Sequence, residues 1–106
     1  MNQEALIEII TQCAKHCSSC AGICLQEAAI SSHADCIRIC LECAEVCHTT
    51  TMLLVMNSSF SDQALQLCKD ICIACMKICS DIQEEHCQQC ALICKETAEQ
   101  CGSVVL

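Results

Sequence analysis

The spacing of sixteen cysteines constrains the fold of this chain more than any other feature. Three groups follow the pattern C-x3-C-x2-C-x3-C, and a fourth group keeps it if Thr97 stands in a cysteine position. Steps of four and three residues return to one side of an α-helix, whereas the side chains of a strand alternate between two faces. The pattern therefore predicts four helices, each with a stripe of thiols facing inward. The thiols are Cys13, Cys17, Cys20, Cys24, Cys36, Cys40, Cys43, Cys47, Cys68, Cys72, Cys75, Cys79, Cys87, Cys90, Cys94 and Cys101.

The cysteine groups also repeat over a longer distance. Cys13 and Cys68 are 55 residues apart, and Cys36 and Cys90 are 54 residues apart. This repeat indicates a duplicated helical hairpin, and 106 residues suffice for one core. We therefore expect a single domain over 1–106, an all-α antiparallel up-down four-helix bundle with a Cys-lined core. Its hairpins are predicted near 3–56 and 62–101, with helices at 3–29, 33–56, 62–80 and 84–101.

Short polar residues and a glycine suggest where the helices begin and end. Phe60 is expected to pack on Leu65 as a hydrophobic staple at the start of the third helix. The candidate caps are Asn2, Ser32 and Ser61 at N-termini and Gly102 at the last C-terminus.

Composition narrows the functional classes. The chain has no proline, one aromatic residue and a net charge of −8, which argues against a strand-rich fold and against nucleic-acid binding. The N-terminal residues are partly acidic and contain no long apolar run, so we expect no export signal, no membrane span and a cytoplasmic location. In a reducing cytoplasm, abundant cysteine points to metal binding rather than to disulfides.

Antiparallel pairing of the four stripes predicts layers of thiols across the bundle. Thr97 takes the place of a thiol in the second of these layers. A half-layer that includes Glu27 and Ile82 follows the fourth layer. The predicted layers are Cys13, Cys47, Cys68 and Cys101; Cys17, Cys43, Cys72 and Thr97; Cys20, Cys40, Cys75 and Cys94; Cys24, Cys36, Cys79 and Cys90; and the half-layer with His33 and Cys87.

The charge of the buried sites favours Cu(I) among the metals. Zn²⁺ with four thiolates leaves a net charge of −2 at each buried site, which is costly. Cu(I) accepts two thiolates and the thiolates can bridge, so about one Cu(I) per cysteine gives a neutral core. A zinc or general metal buffer of metallothionein type remains the alternative. Cysteines used only as small apolar side chains would be unusual in this number.

The two ends of the predicted bundle differ in character. His33, His86 and Cys87 share a polar end, where the two histidines are candidate ligands and incoming metal would arrive; solvated histidines are the simpler interpretation. His16 and His48 are expected on the surface. At the other end, apolar residues continue the thiol stripes and would close the core: Leu6, Ile10, Leu54 and Leu65.

Several apolar residues fall on nominally exposed helix positions. Leu25, Leu41 and Ile73 suggest surface that is buried between subunits, and therefore a homo-oligomer. Met52 and Met56 lie outside the thiol stripe of their helix, and we expect them to pack within the bundle or to form a subunit contact.

Four motifs carry a resemblance to a known family: CAKHCSSCAGIC, CIRICLECAEVC, CKDICIACMKIC and HCQQCALICKETAEQC. Over nearly its whole length the chain resembles the cytosolic branch of the four-helix-bundle copper storage proteins (Csp). The fourth motif of that family commonly has a cysteine where this chain has Thr97. The resemblance implies tetramers of bundles that store many Cu(I) ions.

The resemblance also implies a store rather than an enzyme. The sequence shows no Ser/His/Asp arrangement and no phosphate-binding loop. A weak thiol/copper redox activity is the second alternative, although a store with every thiolate satisfied offers no open coordination position.

Overall fold

The computed structural model describes residues 2–27 and 30–104 of the chain. Its elements are α1 (Gln3–Gln26), a 3₁₀ turn (Ile30–His33), α2 (Ala34–Val55), α3 (Ser61–Ser80) and α4 (Glu85–Val104). Each helix packs against the next along the chain, and α1 and α4 close the ring. The bundle measures 43 × 19 × 18 Å. The predicted all-α up-down four-helix bundle is confirmed, and the described residues contain no strand.

The thiol stripes form the core of this bundle. All sixteen cysteines are buried and free, with at most 2% of any cysteine exposed. Ala21, Ala91 and Ala98 are buried beside them, and half-buried isoleucines such as Ile39 and Ile78 pack against the same core. Small and branched side chains next to each stripe therefore bring the helices close enough to enclose the thiols.

One end of the core is apolar, as the sequence predicts. Leu6, Ile10, Leu54 and Leu65 are all buried there, each at most 5% exposed. Among the described residues, none of the helices is long and apolar enough to span a membrane.

The ends of α1 and α2 illustrate two kinds of capping. The predicted cap Asn2 is confirmed, because its Oδ1 accepts a hydrogen bond of 2.8 Å from the backbone N–H of Ala5. At the end of α2, Asn57 has a positive φ of 52°. The N–H of Ser58 donates to the carbonyl of Leu53, and the N–H of Asn57 donates to that of Leu54. This is a Schellman motif, with asparagine in the position that glycine usually takes.

Two predicted N-caps are wrong by one residue. His33 precedes α2 in the cap position instead of Ser32, because a 3₁₀ turn leads directly into that helix. Ser61 is the first residue of α3, and Phe60 takes the position before it. Since Phe60 is itself the cap and is 64% exposed, it does not form the predicted staple on Leu65.

Two predicted helix ends also differ from the structure. The first helix ends at Gln26, where the N–H of Glu27 bonds to the carbonyl of Cys24; residues 28 and 29 of the predicted helix lie outside the described residues. Gly102 is not a C-cap, because α4 continues through it to Val104. No glycine of the described chain needs a positive φ.

Candidate metal centre

The thiols of α2 and α3 face each other in the predicted pairs. Because the two helices are antiparallel and joined by a short turn, each thiol of the α2 stripe lies level with one thiol of the α3 stripe. The sulfur–sulfur distances are 3.4 Å for Cys36–Cys79, 3.8 Å for Cys40–Cys75, 3.7 Å for Cys43–Cys72 and 3.7 Å for Cys47–Cys68.

The register of α1 and α4 against this pair differs from the prediction. Cys13 lies 3.9 Å from both Cys72 and Cys94, instead of level with Cys68 and Cys101. Cys36 likewise lies 3.9 Å from Cys87, three residues before its predicted partner on α4. The predicted layers are therefore wrong by about one cysteine step between α1 and α4 and across the diagonals of the bundle. Within the hairpins the predicted pairs are present, since Cys13 and Cys47 share one group of thiols and Cys79 and Cys90 share another.

The connections within the two hairpins differ in length. Residues 27–33 join α1 to α2, whereas only residues 81–84 join α3 to α4. The side-chain amide of Gln88 holds the shorter link, donating to the carbonyls of Ser80 at 2.9 Å and Ile82 at 2.7 Å. The two hairpins consequently depart from the symmetry that the sequence repeat suggests.

The thiols form overlapping groups of four whose ligand atoms all lie within 4.8 Å of one another. Cys13 and Cys43 belong to two of these groups, and so do Cys17 and Cys94. A thiolate shared by two groups can bridge two ions. Groups that contain only buried thiols include Cys13, Cys17, Cys43 and Cys94; Cys13, Cys43, Cys47 and Cys72; Cys17, Cys75, Cys90 and Cys94; and Cys20, Cys40, Cys79 and Cys90.

A fifth group lies at the polar end and includes an imidazole. It consists of Cys20, Cys24, His86 and Cys87. Cys24 Sγ lies 3.3 Å from His86 Nε2 and 3.8 Å from Cys87 Sγ. Glu27 Oε1 lies 3.4 Å from both His86 Nε2 and His33 Nδ1. The structure thus brings His33, His86 and Cys87 to the same end, around a carboxylate.

Thr97 interrupts the stripe of α4. Its side chain is buried, with 1% of the residue exposed. Its hydroxyl donates a hydrogen bond of 2.8 Å to the carbonyl of Ile93, one turn earlier in the same helix. That bond satisfies the hydroxyl within α4, so Thr97 fills space in the core without adding a sulfur ligand.

Burial favours the protonated thiol at Cys24 and at Cys87 in the absence of metal. Removal from water raises the pKa of Cys24 to about 11, and the charge of neighbouring Cys36 adds to the effect. Burial also raises the pKa of Cys87. Metal binding at these sulfurs therefore has to displace protons.

The remaining candidate residues lie away from the thiol column. His16 and His48 are exposed, as expected. Leu25 and Leu41 are about half exposed, while Ile73 is half-buried. Met52 and Met56 are also exposed. A surface groove between α2 and α3 is lined mainly by apolar side chains, including Val46, Leu53, Phe60 and Leu67.

Comparison with known proteins identifies relatives that match nearly the whole chain. The family model described as copper storage protein (Csp) matches residues 1–106. The protein described as uncharacterised cysteine-rich protein YhjQ, from Bacillus subtilis (strain 168), is 39% identical over 101 residues, which cover 95% of this chain and 94% of that protein.

Two solved structures share the whole bundle. The Cu(I)-bound copper storage protein BsCsp3 is 37% identical, with a TM-score of 0.95 and full coverage of both chains. A cytosolic copper storage protein from Streptomyces lividans, described with five coppers, is 30% identical with a TM-score of 0.93. That match covers 97% of this chain and 91% of the Streptomyces chain.

Proposed function

The chain belongs to the copper storage protein family, and we propose that it stores Cu(I) by binding many ions along its column of thiols. The observation that carries this proposal is the overlap of the buried thiol groups, in which single sulfurs belong to two groups at once. Bridging thiolates let Cu(I) ions follow one another along the axis while the column stays neutral. Zn²⁺ in the same all-thiolate groups would leave each buried site negatively charged.

We assign the metal ligands to all sixteen cysteines, with two histidines as auxiliary ligands at the polar end. The capacity expected from bridging is about one Cu(I) per cysteine. The proposed ligands are Cys13, Cys17, Cys20, Cys24, Cys36, Cys40, Cys43, Cys47, Cys68, Cys72, Cys75, Cys79, Cys87, Cys90, Cys94, Cys101, His33 and His86.

The proposal describes a store rather than a catalyst. The thiols are buried in a column closed by apolar residues at one end, which supports retention of ions rather than turnover of a substrate. Residues 1–106 act as one storage domain made of two helical hairpins, 3–56 and 62–101. A cytoplasmic location is supported by the Streptomyces relative, which is described as cytosolic.

The exposed apolar side chains support a homo-oligomer as the working form, and the family resemblance implies that it is a tetramer. Leu25 and Leu41 present apolar surface to solvent in the single bundle, and so does Met52. Surface of this kind is commonly covered between identical subunits.

An anaerobic Cu(I) titration of the reduced protein tests the storage function. Binding is followed against a competing Cu(I) chelator, with and without excess Zn²⁺. We expect a plateau of about sixteen Cu(I) per chain that zinc does not lower. A plateau near four ions, with zinc winning the competition, would identify a metallothionein-type zinc buffer instead.

A further inference from the structure

The polar end of the bundle differs chemically from the rest of the thiol column. The all-thiol groups named above offer only sulfur, whereas this end adds the imidazole of His86 and the carboxylate of Glu27. Cu(I) is a soft ion and gains little from a carboxylate ligand. Zn²⁺ accepts sulfur, nitrogen and oxygen together in one tetrahedral site.

Two polar atoms at this end are buried without hydrogen-bond partners. They are Oε1 of Glu27 and Nδ1 of His33, which lie 3.4 Å apart. A buried polar atom without a partner is costly, and the cost is higher for a charged oxygen. A cation beside Glu27 would offset that cost.

Three of the separations that one tetrahedral ion requires are present at this end. Typical zinc bond lengths give ligand separations of about 3.8 Å between two sulfurs, about 3.6 Å between sulfur and nitrogen, and about 3.3 Å between nitrogen and oxygen. The structure has 3.8 Å from Cys24 Sγ to Cys87 Sγ and 3.3 Å from Cys24 Sγ to His86 Nε2. The separation of His86 Nε2 from Glu27 Oε1 is 3.4 Å.

We propose that Cys24, Cys87, His86 and Glu27 bind one Zn²⁺ per chain in the copper-free bundle. Two thiolates, one carboxylate and a neutral imidazole leave this site with a net charge of −1, half that of zinc with four thiolates. The site also lies at the end of the core, where water reaches Glu27 and His86. The thiol protons that zinc displaces pass to the solvent.

His33 acts as a positioning residue for this site. Its Nδ1 lies 3.4 Å from Oε1 of Glu27, and this close contact keeps the carboxylate beside His86. The same two thiols serve Cu(I) when copper is abundant. Zinc therefore occupies this end of the empty store and must leave as copper is loaded.

The test is an anaerobic Zn²⁺ titration of the reduced, metal-free protein against a chromophoric zinc chelator. Co²⁺ serves as a visible probe of coordination in parallel. We expect one tight Zn²⁺ per chain and a tetrahedral Co²⁺ spectrum that contains sulfur charge-transfer bands. Glu27→Gln keeps the size of the side chain but removes its charge, and should weaken zinc binding at least about tenfold.

The matched control is Glu84→Gln, which removes the same charge from an exposed side chain near the same end. It should bind zinc like the wild type. His86→Gln is the second variant and should also lose the tight site, with far-UV circular dichroism verifying that each variant is helical.

Wild-type zinc affinity in both Glu27→Gln and His86→Gln would overturn the proposal. A Co²⁺ spectrum of purely thiolate sites would overturn it as well. Cu(I) titration of the same preparations separates this inference from the storage function. A copper plateau near sixteen without tight zinc refutes the zinc site alone, whereas a low copper plateau refutes storage.

Discussion

Replacing Ile10 with alanine tests whether the metal-free bundle is held by its apolar end rather than by metal. Ile10 is completely buried, three residues before the first thiol of α1. Leu6, Leu54 and Leu65 are buried at the same end. Since these side chains and the residues beside the stripes supply helix contact without any ion, we expect the reduced apoprotein to be folded and highly helical, unlike a zinc finger.

The size of the effect follows from burial. Truncation of a fully buried isoleucine to alanine costs about 2–5 kcal/mol, because the apolar transfer energy is lost and a cavity is left. Small domains are stable by about 5–15 kcal/mol in total. Ile10→Ala should therefore remove a large part of the apoprotein's free energy of unfolding.

Urea unfolding of the reduced apoprotein, followed by far-UV circular dichroism, measures this loss. With a slope of about 1–3 kcal/mol per molar urea, a loss of 3 kcal/mol lowers the midpoint by about 1–3 M. The matched control is Ile9→Ala on the same helix, where the side chain is half-buried and the loss should be clearly smaller. Equal midpoints for the two variants, or a coil spectrum for the wild-type apoprotein, would refute the reasoning.

Three further outcomes are expected. Replacing His33 and His86 together with alanine should slow Cu(I) loading and chelator-driven removal in stopped-flow assays far more than it lowers the plateau of the Cu(I) titration. Leu54→Ser at the closed end should change these rates less. The opposite result would mean that metal enters and leaves through the apolar end. Thr97→Cys should raise the plateau of the Cu(I) titration by about one ion per chain, and an unchanged plateau would mean that the position does not reach the column. Burial raises the pKa of Cys24 to about 11, above its ordinary 9.0, so this thiol ionises at a lower pH in the unfolded chain than in the folded bundle. The stability of the apoprotein should therefore hold below about pH 9 and fall at higher pH. A midpoint of urea unfolding that rises above pH 9 would contradict this.

The sequence predicts the helices and their inward faces well because both depend on local spacing. Steps of four and three residues are compatible with one side of a helix and with no strand, so the burial of every thiol follows directly. The helix ends are harder to predict, because several short polar residues compete for each cap. In the turn before α3, for example, Ser58 and Ser61 could both cap, and the Schellman motif at Asn57 depends on a backbone angle that asparagine adopts only in some contexts.

The register of the four stripes lies beyond what spacing can predict. Sliding α4 by one cysteine step keeps every thiol inside the bundle, so burial alone does not distinguish the alternative registers. The observed register changes the meaning of Thr97. Cys94 lies 3.6 Å from Cys17 and 3.9 Å from Cys13, so one further turn along the antiparallel α4 places Thr97 between the levels of Ile10 and Cys13 rather than beside Cys17. The missing thiol therefore lies near the apolar end of the column, with only Cys101 beyond it in the stripe of α4.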